Sequence, residues 1–271
     1  MTDMFAVMGN PIAHSLSPVI HQQFAAQTGQ RIMYEKKLIQ HGEFEQQVVD
    51  FFNSGGKGLN ITLPFKTKAY ALCEVRTERA EQAQAVNTLW MRDGNLHGDN
   101  TDGVGLLRDL GRYLIIRNKS VLLLGAGGAA SGVISALLSQ TPKVTVVNRT
   151  RSKAESLQAR FEHLTVLDFE SLDSSYDLII NATSASLDDK TLPIPASVWD
   201  GYPFCYDLSY RMACDTPFVA LAKAHGCDGI DGLGMLVEQA AESFWIWLGI
   251  KPEVQPVLTS LKKSRDDRFR S

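Results

Sequence analysis

Val121–Gly132 reads VLLLGAGGAASG, and the fold turns on this stretch. Val121 to Leu124 form a short apolar run of the kind that makes a buried parallel strand. Gly125, Gly127 and Ala130 then fit G-x-G-x-x-G/A, and a helical pattern runs on through Leu138. Strand, glycine turn and helix in that order make a dinucleotide fingerprint. Glycines let the backbone approach a pyrophosphate, and the helix N-terminus offers unpaired N–H groups and a positive dipole end. The next strand selects the dinucleotide. KVTVVNRTRSK (Lys143–Lys153) carries Asn148 where an NAD site places a carboxylate for the ribose 2′-hydroxyl, and Arg149, Arg151 and Lys153 follow. An arginine pairs with a 2′-phosphate that a carboxylate would repel. Basic residues at a helix start also oppose its dipole, so a bound anion accounts for them better than solvent does. The expected cofactor is NADP.

Outward from this turn, short apolar strands alternate with helical patterns. Upstream, Phe5–Met8, Ile32–Ile39 and Gly58–Leu63 read as strands, and Pro18–Thr28, Phe44–Phe52 and Thr77–Ala85 as helices. Asn87–Met91 and Leu96–Asp99 read as a hairpin around Asp93-Gly94. A helix over Thr101–Leu114 leads into the glycine-turn unit, whose further strands are Val144–Val147, Leu164–Leu167, Leu178–Asn181 and Phe204–Leu208. Leu233–Leu248 and Pro252–Lys262 are helical and bring no strand of their own, so they must pack on something already built. The fold class is α/β: two α/β domains with mainly parallel sheets, the second of Rossmann type. With a seam near Asp99–Thr101, residues 1–100 plus 233–271 are expected to form one domain and residues 101–232 the other.

Bulk composition narrows the function. An apolar fraction of 44% over 271 residues suffices for a full core, and a net charge of −3 argues against a nucleic-acid partner. No apolar run approaches the ~20 residues of a membrane helix, so no membrane partner is expected. The start, MTDMFAVMGNP, lacks the basic and long apolar segments of a signal peptide. Cys73, Cys205, Cys214 and Cys227 are scattered without a CxxC, and His14 and His21 lie seven apart with His14 ahead of the helix. Reduced thiols, a cytoplasmic location and no metal follow as expectations. Lys262, Lys263, Arg265, Arg268 and Arg270 read as a frayed, solvated tail.

Chemistry concentrates at the strand ends of the first domain. GNPIAHSLSPVIHQQF (Gly9–Phe24) leaves a strand through a tight polar turn. Ser17 suits a helix N-cap, Pro18 the first helical position and Gly29 a left-handed C-cap, but Ser15 is a second hydroxyl that capping does not require. Open α/β sheets place ligands at such turns. NITLPFK alternates Asn60 and Thr62 on one face and delivers Lys66 past the strand end. Asn87 in AVNTLW sits among apolar residues and needs partners, while GDNTDG sets Asp99 and Asp102 at the seam, where Asp99 or Thr101 could also serve as a cap. Hydroxyls, amides, one amine and one carboxylate suit a polyhydroxylated ligand and a proton transfer.

GNPIAHSLSP, NITLPFK, AVNTL, GDNTDGVG, GAGGA, NRT, NAT and DGLGMLVEQA, in this order over nearly the whole chain, resemble the shikimate dehydrogenases. The resemblance implies reversible NADPH-linked reduction of 3-dehydroshikimate to shikimate in aromatic amino-acid biosynthesis, by a substrate domain and a cofactor domain separated by a cleft, in a monomer or homodimer. It implies that Lys66 and Asp102 are the catalytic pair. Ser15 and Ser17 resemble the serines that hold the substrate carboxylate, and Asn60, Thr62, Asn87, Tyr210 and Gln239 match further substrate positions. Gly125, Ala126, Gly127, Gly128, Ala129, Asn148, Arg149, Thr150, Arg151, Ser152, Lys153, Leu208 and Gly232 match cofactor positions, as does Glu78. The chain departs from the pattern at RMACDTP after YDLSY, at the loop ASLDDKTLPIP, and at Glu238. Three alternatives stand beside this reading: a quinate/shikimate paralogue accepting NAD, a non-catalytic NADP-binding redox sensor, and another two-domain dehydrogenase of the folate or glutamyl-tRNA type. Ser17 and Arg149 favour the biosynthetic NADP type. A sensor need not keep Lys66 and Asp102, and the third class has no use for paired serines after its first strand.

Overall fold

The structure is a computed structural model that describes residues 2–183 and 192–269, the side chains of 268 and 269 excepted. Of the loop at 185–195, residues 185–191 therefore lie outside the described residues, as does Arg270. The chain divides into two compact units, Met1–Gly105 with Leu236–Ser260, and Leu106–Met235 with Leu261–Ser271.

The first unit begins with β1 (Asp3–Gly9), α1 (Ser17–Thr28), β2 (Ile32–Leu38), α2 (Phe44–Asn53) and β3 (Gly58–Ile61). It continues through α3 (Lys66–Leu72), β4 (Val75–Arg76), α4 (Glu78–Ala83), β5 (Thr88–Arg92), β6 (Asn95–Asp99) and the start of α5 (Asp102–Leu110). Its six strands run in the order β2-β1-β3-β5-β6-β4. β1 is parallel to β2 and β3, β5 runs antiparallel to its neighbours β3 and β6, and β4 is parallel to β6. Asp93 (φ 53°) and Gly94 (φ 81°) make the two-residue turn whose twist matches that of the flanking strands.

β3 ends at Ile61, two residues sooner than the apolar pattern suggests, because Phe65 N–H closes a turn onto the Thr62 carbonyl at 3.0 Å. Buried Phe65 stacks on Phe44 of α2 at 4.9 Å, and this anchor sets the start of α3 at Lys66. α3 was not expected from the residue pattern: it has seven residues and only Ala69 buried, too few to show a period.

Ser17 does not cap α1. Leu16 occupies the cap position with no side-chain cap bond, Pro18 follows in the first turn, and Gly29 closes the helix at φ 68°. The serine hydroxyls are thereby left to other partners.

The second unit continues α5 and adds β7 (Val121–Leu124), α6 (Gly128–Leu138), β8 (Val144–Val147), α7 (Arg151–Gln158), β9 (Leu164–Val166) and β10 (Leu178–Asn181). It closes with β11 (Phe204–Asp207), α8 (Pro217–Ala224) and β12 (Gly229–Asp231). All six strands are parallel, in the order β12-β11-β10-β7-β8-β9. The order reverses between β7 and β10, so the glycine turn after β7 lies at the topological switch point where such sheets bind ligands. β7 is buried on both faces: Val121 and Leu123 join one core cluster, Leu122 and Leu124 the other. α8 and β12 were not expected. Thr216 caps α8 by accepting from Val219 N–H, with Pro217 in the first turn.

The chain ends in α9 (Leu233–Leu248) and α10 (Val254–Phe269). Trp247 of α9 packs in the first unit, where its indole would lie 2.5 Å from a Cβ on Gly58, so only glycine fits there. The tail is not wholly frayed. Arg265 of α10 pairs with Asp231 at 2.9 Å, and Lys262 lies 3.4 Å from the Tyr113 hydroxyl.

Candidate active site

In the first unit the carboxyl ends of β1 and β3 and the first residues of α3 and α5 carry the polar side chains. Lys66 is the first residue of α3 and Asp102 the first of α5. Their side chains form an ion pair, Nζ to Oδ2 at 2.5 Å, with 18% and 7% of each exposed. The second Asp102 oxygen accepts from Asn87 Nδ2 at 2.9 Å, so the carboxylate is held from both sides. Asn87 is itself fixed. Its Oδ1 accepts from Thr101 N–H at 3.0 Å and from the Thr88 hydroxyl at 2.9 Å. Gln239 Oε1 faces Asn87 and Thr101 at 3.4 Å, and Gln239 donates to the Leu236 carbonyl at 2.8 Å.

The same cluster extends to the other strand ends. Asn60 Oδ1 accepts from the Tyr34 hydroxyl at 2.6 Å, while its Nδ2 donates to Ser243 Oγ at 3.0 Å and to the Asn87 carbonyl at 3.1 Å. Ser15 Oγ donates to Ser17 Oγ at 3.2 Å. Thr62 comes within reach because Gly9 has no side chain: a Cβ there would lie 2.3 Å from Thr62 Cγ2.

His21 lies beneath this cluster, fully buried, stacked on Tyr34 at 4.3 Å and surrounded by Phe24, Phe244 and Trp247. Neither ring nitrogen has a hydrogen-bond partner among the described residues. Burial pushes its pKa down to about 3. The unfolded chain takes up a proton on this residue below pH ~6.5 and the folded chain does not, so its contribution is complete above that pH and is lost as pH falls. By pH 5 the loss attributable to His21 is about 2 kcal/mol, from ~1.4 kcal/mol per pH unit. Chemical denaturation at pH 7 and pH 5 checks this: the drop should be smaller by that amount in His21→Phe than in the wild type.

In the second unit, the glycine turn fits a dinucleotide pyrophosphate. Gly125 has φ 107°, and a Cβ there would lie 3.2 Å from the Ala182 backbone. Positions where a Cβ would stand on Gly127 and Gly128 are open to 4 Å, at the N-terminus of α6, which has no side-chain cap. Leu208 and Gly232 meet beside this sheet end. Gly232 N–H donates to the Ser209 carbonyl at 2.9 Å, and a Cβ on Gly232 would lie 2.4 Å from the Leu208 oxygen. Buried Asp207 and Asn181 hold that turn, Asp207 accepting from Asn181 Nδ2 at 3.2 Å and from Ser209 N–H at 3.0 Å. Asn148 ties the turn after β8 by donating to the Thr150 carbonyl at 2.8 Å.

Comparison with known proteins matches this arrangement to one family. Residues 7–89 match the shikimate dehydrogenase substrate binding domain, residues 111–188 the shikimate / quinate 5-dehydrogenase family, and residues 232–262 the shikimate 5′-dehydrogenase C-terminal domain. The chain is 53% identical over 263 residues to shikimate dehydrogenase (NADP(+)) of Legionella pneumophila (strain Corby), covering 97% of this chain and 99% of that one. The chain belongs to the shikimate dehydrogenase family. A shikimate dehydrogenase (NADP(+)) of Alkalilimnicola ehrlichii is 50% identical over 97% of this chain and 99% of its own. The fold is likewise that of shikimate 5-dehydrogenase from Thermus thermophilus, solved in complex with NADP(H) and shikimate, with a TM-score of 0.88 and 32% identity over 97% of this chain and 100% of the other.

Among the positions expected from the shikimate dehydrogenase pattern, the first unit brings together Lys66, Asp102, Asn87, Gln239 and Asn60, and holds Ser15, Ser17 and Thr62 at the neighbouring strand ends. Tyr210 lies in the second unit, three residues past β11. Glu78 lies in the first unit, exposed at the start of α4, where it accepts from Gln82 at 3.1 Å. Arg151 is engaged by Glu155 at 2.8 Å and by Asp168, whereas Arg149 and Lys153 are exposed with no such partner among the described residues. Ser152 and Thr150 flank them, exposed. Asp99 is not part of the open cluster: Arg79 grips both its oxygens, at 2.5 and 3.1 Å, and Thr77 donates to it.

Sequence reading missed Thr88, Ser243 and Tyr34. Ser243 is one turn after Gln239 on α9, and that spacing is the only local signal for it.

Proposed function

We propose that this chain catalyses the reversible NADPH-linked reduction of 3-dehydroshikimate to shikimate, with the first unit holding the substrate and the second the cofactor. The ion pair between Lys66 and Asp102, inside a shell of oriented amides and hydroxyls, carries the proposal. The relatives named for NADP(+) and shikimate support it. NADPH, when bound at the glycine turn, supplies the hydride. Lys66 donates the proton that the nascent alkoxide needs, because an ammonium at this position is a ready general acid. Asp102 keeps that ammonium in place and accepts from the new hydroxyl, and Asn87 keeps the carboxylate from turning away. Ser15 and Ser17 donate to the substrate carboxylate, while Asn60, Thr62, Asn87 and Gln239 take the ring hydroxyls or the carboxylate. Oxidation of shikimate releases a proton, so raising the pH favours that direction.

Purified protein with shikimate and NADP should generate the reduced-nicotinamide absorbance band. Parallel assays with quinate and with NAD test the paralogue reading. No turnover with shikimate and either cofactor would overturn the proposal. Ser15→Ala or Ser17→Ala is expected to raise KM for shikimate at least ~10-fold, the loss of a charge-assisted hydrogen bond of ~1.5–3 kcal/mol. Unchanged KM values in both variants would return these hydroxyls to shaping the turn.

A further inference from the structure

We propose that Lys36 is the cation that recognises the substrate carboxylate, acting through its charge from the edge of the sheet; this rests on the function proposed above. β2 is an edge strand, and its charged residues do not share a face. Side chains alternate along a strand, so Tyr34, Lys36 and Leu38 take one face and Met33, Glu35 and Lys37 the other. Tyr34 stacks on His21 of α1 at 4.3 Å, which marks its face as the one that α1 covers. Lys37 lies over the Phe51 ring of α2, on the opposite face, 3.8 Å from Glu35. Lys36 is thus the charged side chain that β2 sends to the side of the polar cluster. Register confirms the placement: Lys36 pairs with Val7, Val7 with Asn60 and Asn60 with Thr88, in one row across the sheet.

The ammonium reaches the serine turn. Lys36 Nζ donates to the Ala13 carbonyl at 2.6 Å. Ser15 N–H closes onto the Ile12 carbonyl at 3.1 Å, so Ala13 stands inside the four-residue turn that ends at Ser15. One of the three ammonium N–H groups is spent on Ala13, and the exposed side chain pairs with no carboxylate among the described residues. Its charge therefore stands within a single turn of Ser15, inside the ~10 Å screening length of 0.1 M salt.

A positive charge is what the cluster otherwise lacks. Lys66 is matched by Asp102, and Arg79 is shared between Asp99 and Glu242. Ser15, Ser17, Asn60, Thr62, Asn87 and Gln239 are neutral, and the chain as a whole carries −3. Serine hydroxyls donate to an ester carbonyl as they do to a carboxylate, so hydroxyls alone distinguish the two poorly. A cation beside them makes the distinction and draws in an anion from solution.

Lys36→Gln keeps a donor for Ala13 and removes the charge, whereas Lys36→Arg keeps both. In the full chain at low salt, Lys36→Gln should raise KM for shikimate at least about threefold, with kcat and KM for NADP within about twofold of wild type. Lys36→Arg should stay within about twofold throughout. Raising salt from ~0.05 to ~0.5 M should at least halve the Lys36→Gln factor, because the attraction is screened. The methyl ester of shikimate, the same ring without the charge, should differ less than about twofold in kcat/KM between wild type and Lys36→Gln. A turn merely displaced by the substitution would weaken acid and ester alike and would not respond to salt. A KM rise below about threefold for shikimate, an equal factor for the ester, or a factor unchanged by salt would overturn the inference while leaving the proposed activity intact. Failure of the wild type to turn over shikimate would overturn that activity, and this inference with it.

Discussion

Lys66→Ala is expected to lower kcat by about 10²–10⁴ with KM for shikimate within about threefold. The size follows from the role of the amine. A general acid acts only as charge develops on the carbonyl oxygen, so its loss falls on the transition state and not on ground-state binding. The expected KM follows from the geometry: Ser15, Ser17, Asn60 and Gln239 do not depend on the Lys66 ammonium for their orientation. The substitution also strips Asp102 of one of its partners, and Asp102 is almost fully buried. Leaving a buried carboxylate with Asn87 but no cation destabilises the unit. A thermal melt must therefore accompany the kinetics. Asp102→Asn provides a check that removes no volume: it keeps the hydrogen-bonding shape but not the charge, and should also lower kcat. A folded Lys66→Ala enzyme with near wild-type kcat would take the amine out of the mechanism, and a change confined to KM would move it to binding.

What could be read from the chain beforehand divides by the range of the interaction. β7, α6, β8, β10 and α9 announce themselves through local pattern, because apolar runs, a glycine turn and a helical period involve near neighbours. α3 and β12 have too few residues and too few buried ones to generate a period. Ser17 misleads because Ser-Pro is a common helix start, while here the chain enters the α region one residue earlier, at Leu16. The polar cluster is legible as residue types at strand ends but not as a network. Asn60 reaches Ser243 across 183 residues and Tyr34 across 26, and no spacing rule connects them. Tyr34 is hidden further by its neighbours, since a run such as YEKK reads as an exposed edge. Asp99 carries the opposite lesson. It stands three residues from Asp102 in a motif that looks uniformly reactive, yet Arg79 claims it for the fold.

Arg149→Ala is expected to weaken NADP about 10- to 100-fold and NAD by no more than about threefold, from the ~1.5–3 kcal/mol of a charge-assisted hydrogen bond to the 2′-phosphate. Three basic side chains follow β8, and the structure separates them. Arg151 is held by Glu155 and Asp168 within its own unit, so a phosphate would have to compete with two carboxylates for it. Arg149 carries no such partner among the described residues, and it directly follows Asn148, where an acidic residue would select NAD. Asn148 turns its amide to the Thr150 carbonyl, which shapes the turn that bears Arg149 and leaves no negative charge there. The ordering Arg149 before Arg151 is thus a consequence of ion pairing and not of sequence position. Because the guanidinium is exposed, its attraction for a phosphate is screened, and the NADP preference should shrink as salt is raised. Arg151→Ala should cost less NADP affinity than Arg149→Ala. Equal losses for NADP and NAD in Arg149→Ala would refute the phosphate assignment. A larger loss from Arg151 would mean that its carboxylate partners release it when the cofactor binds.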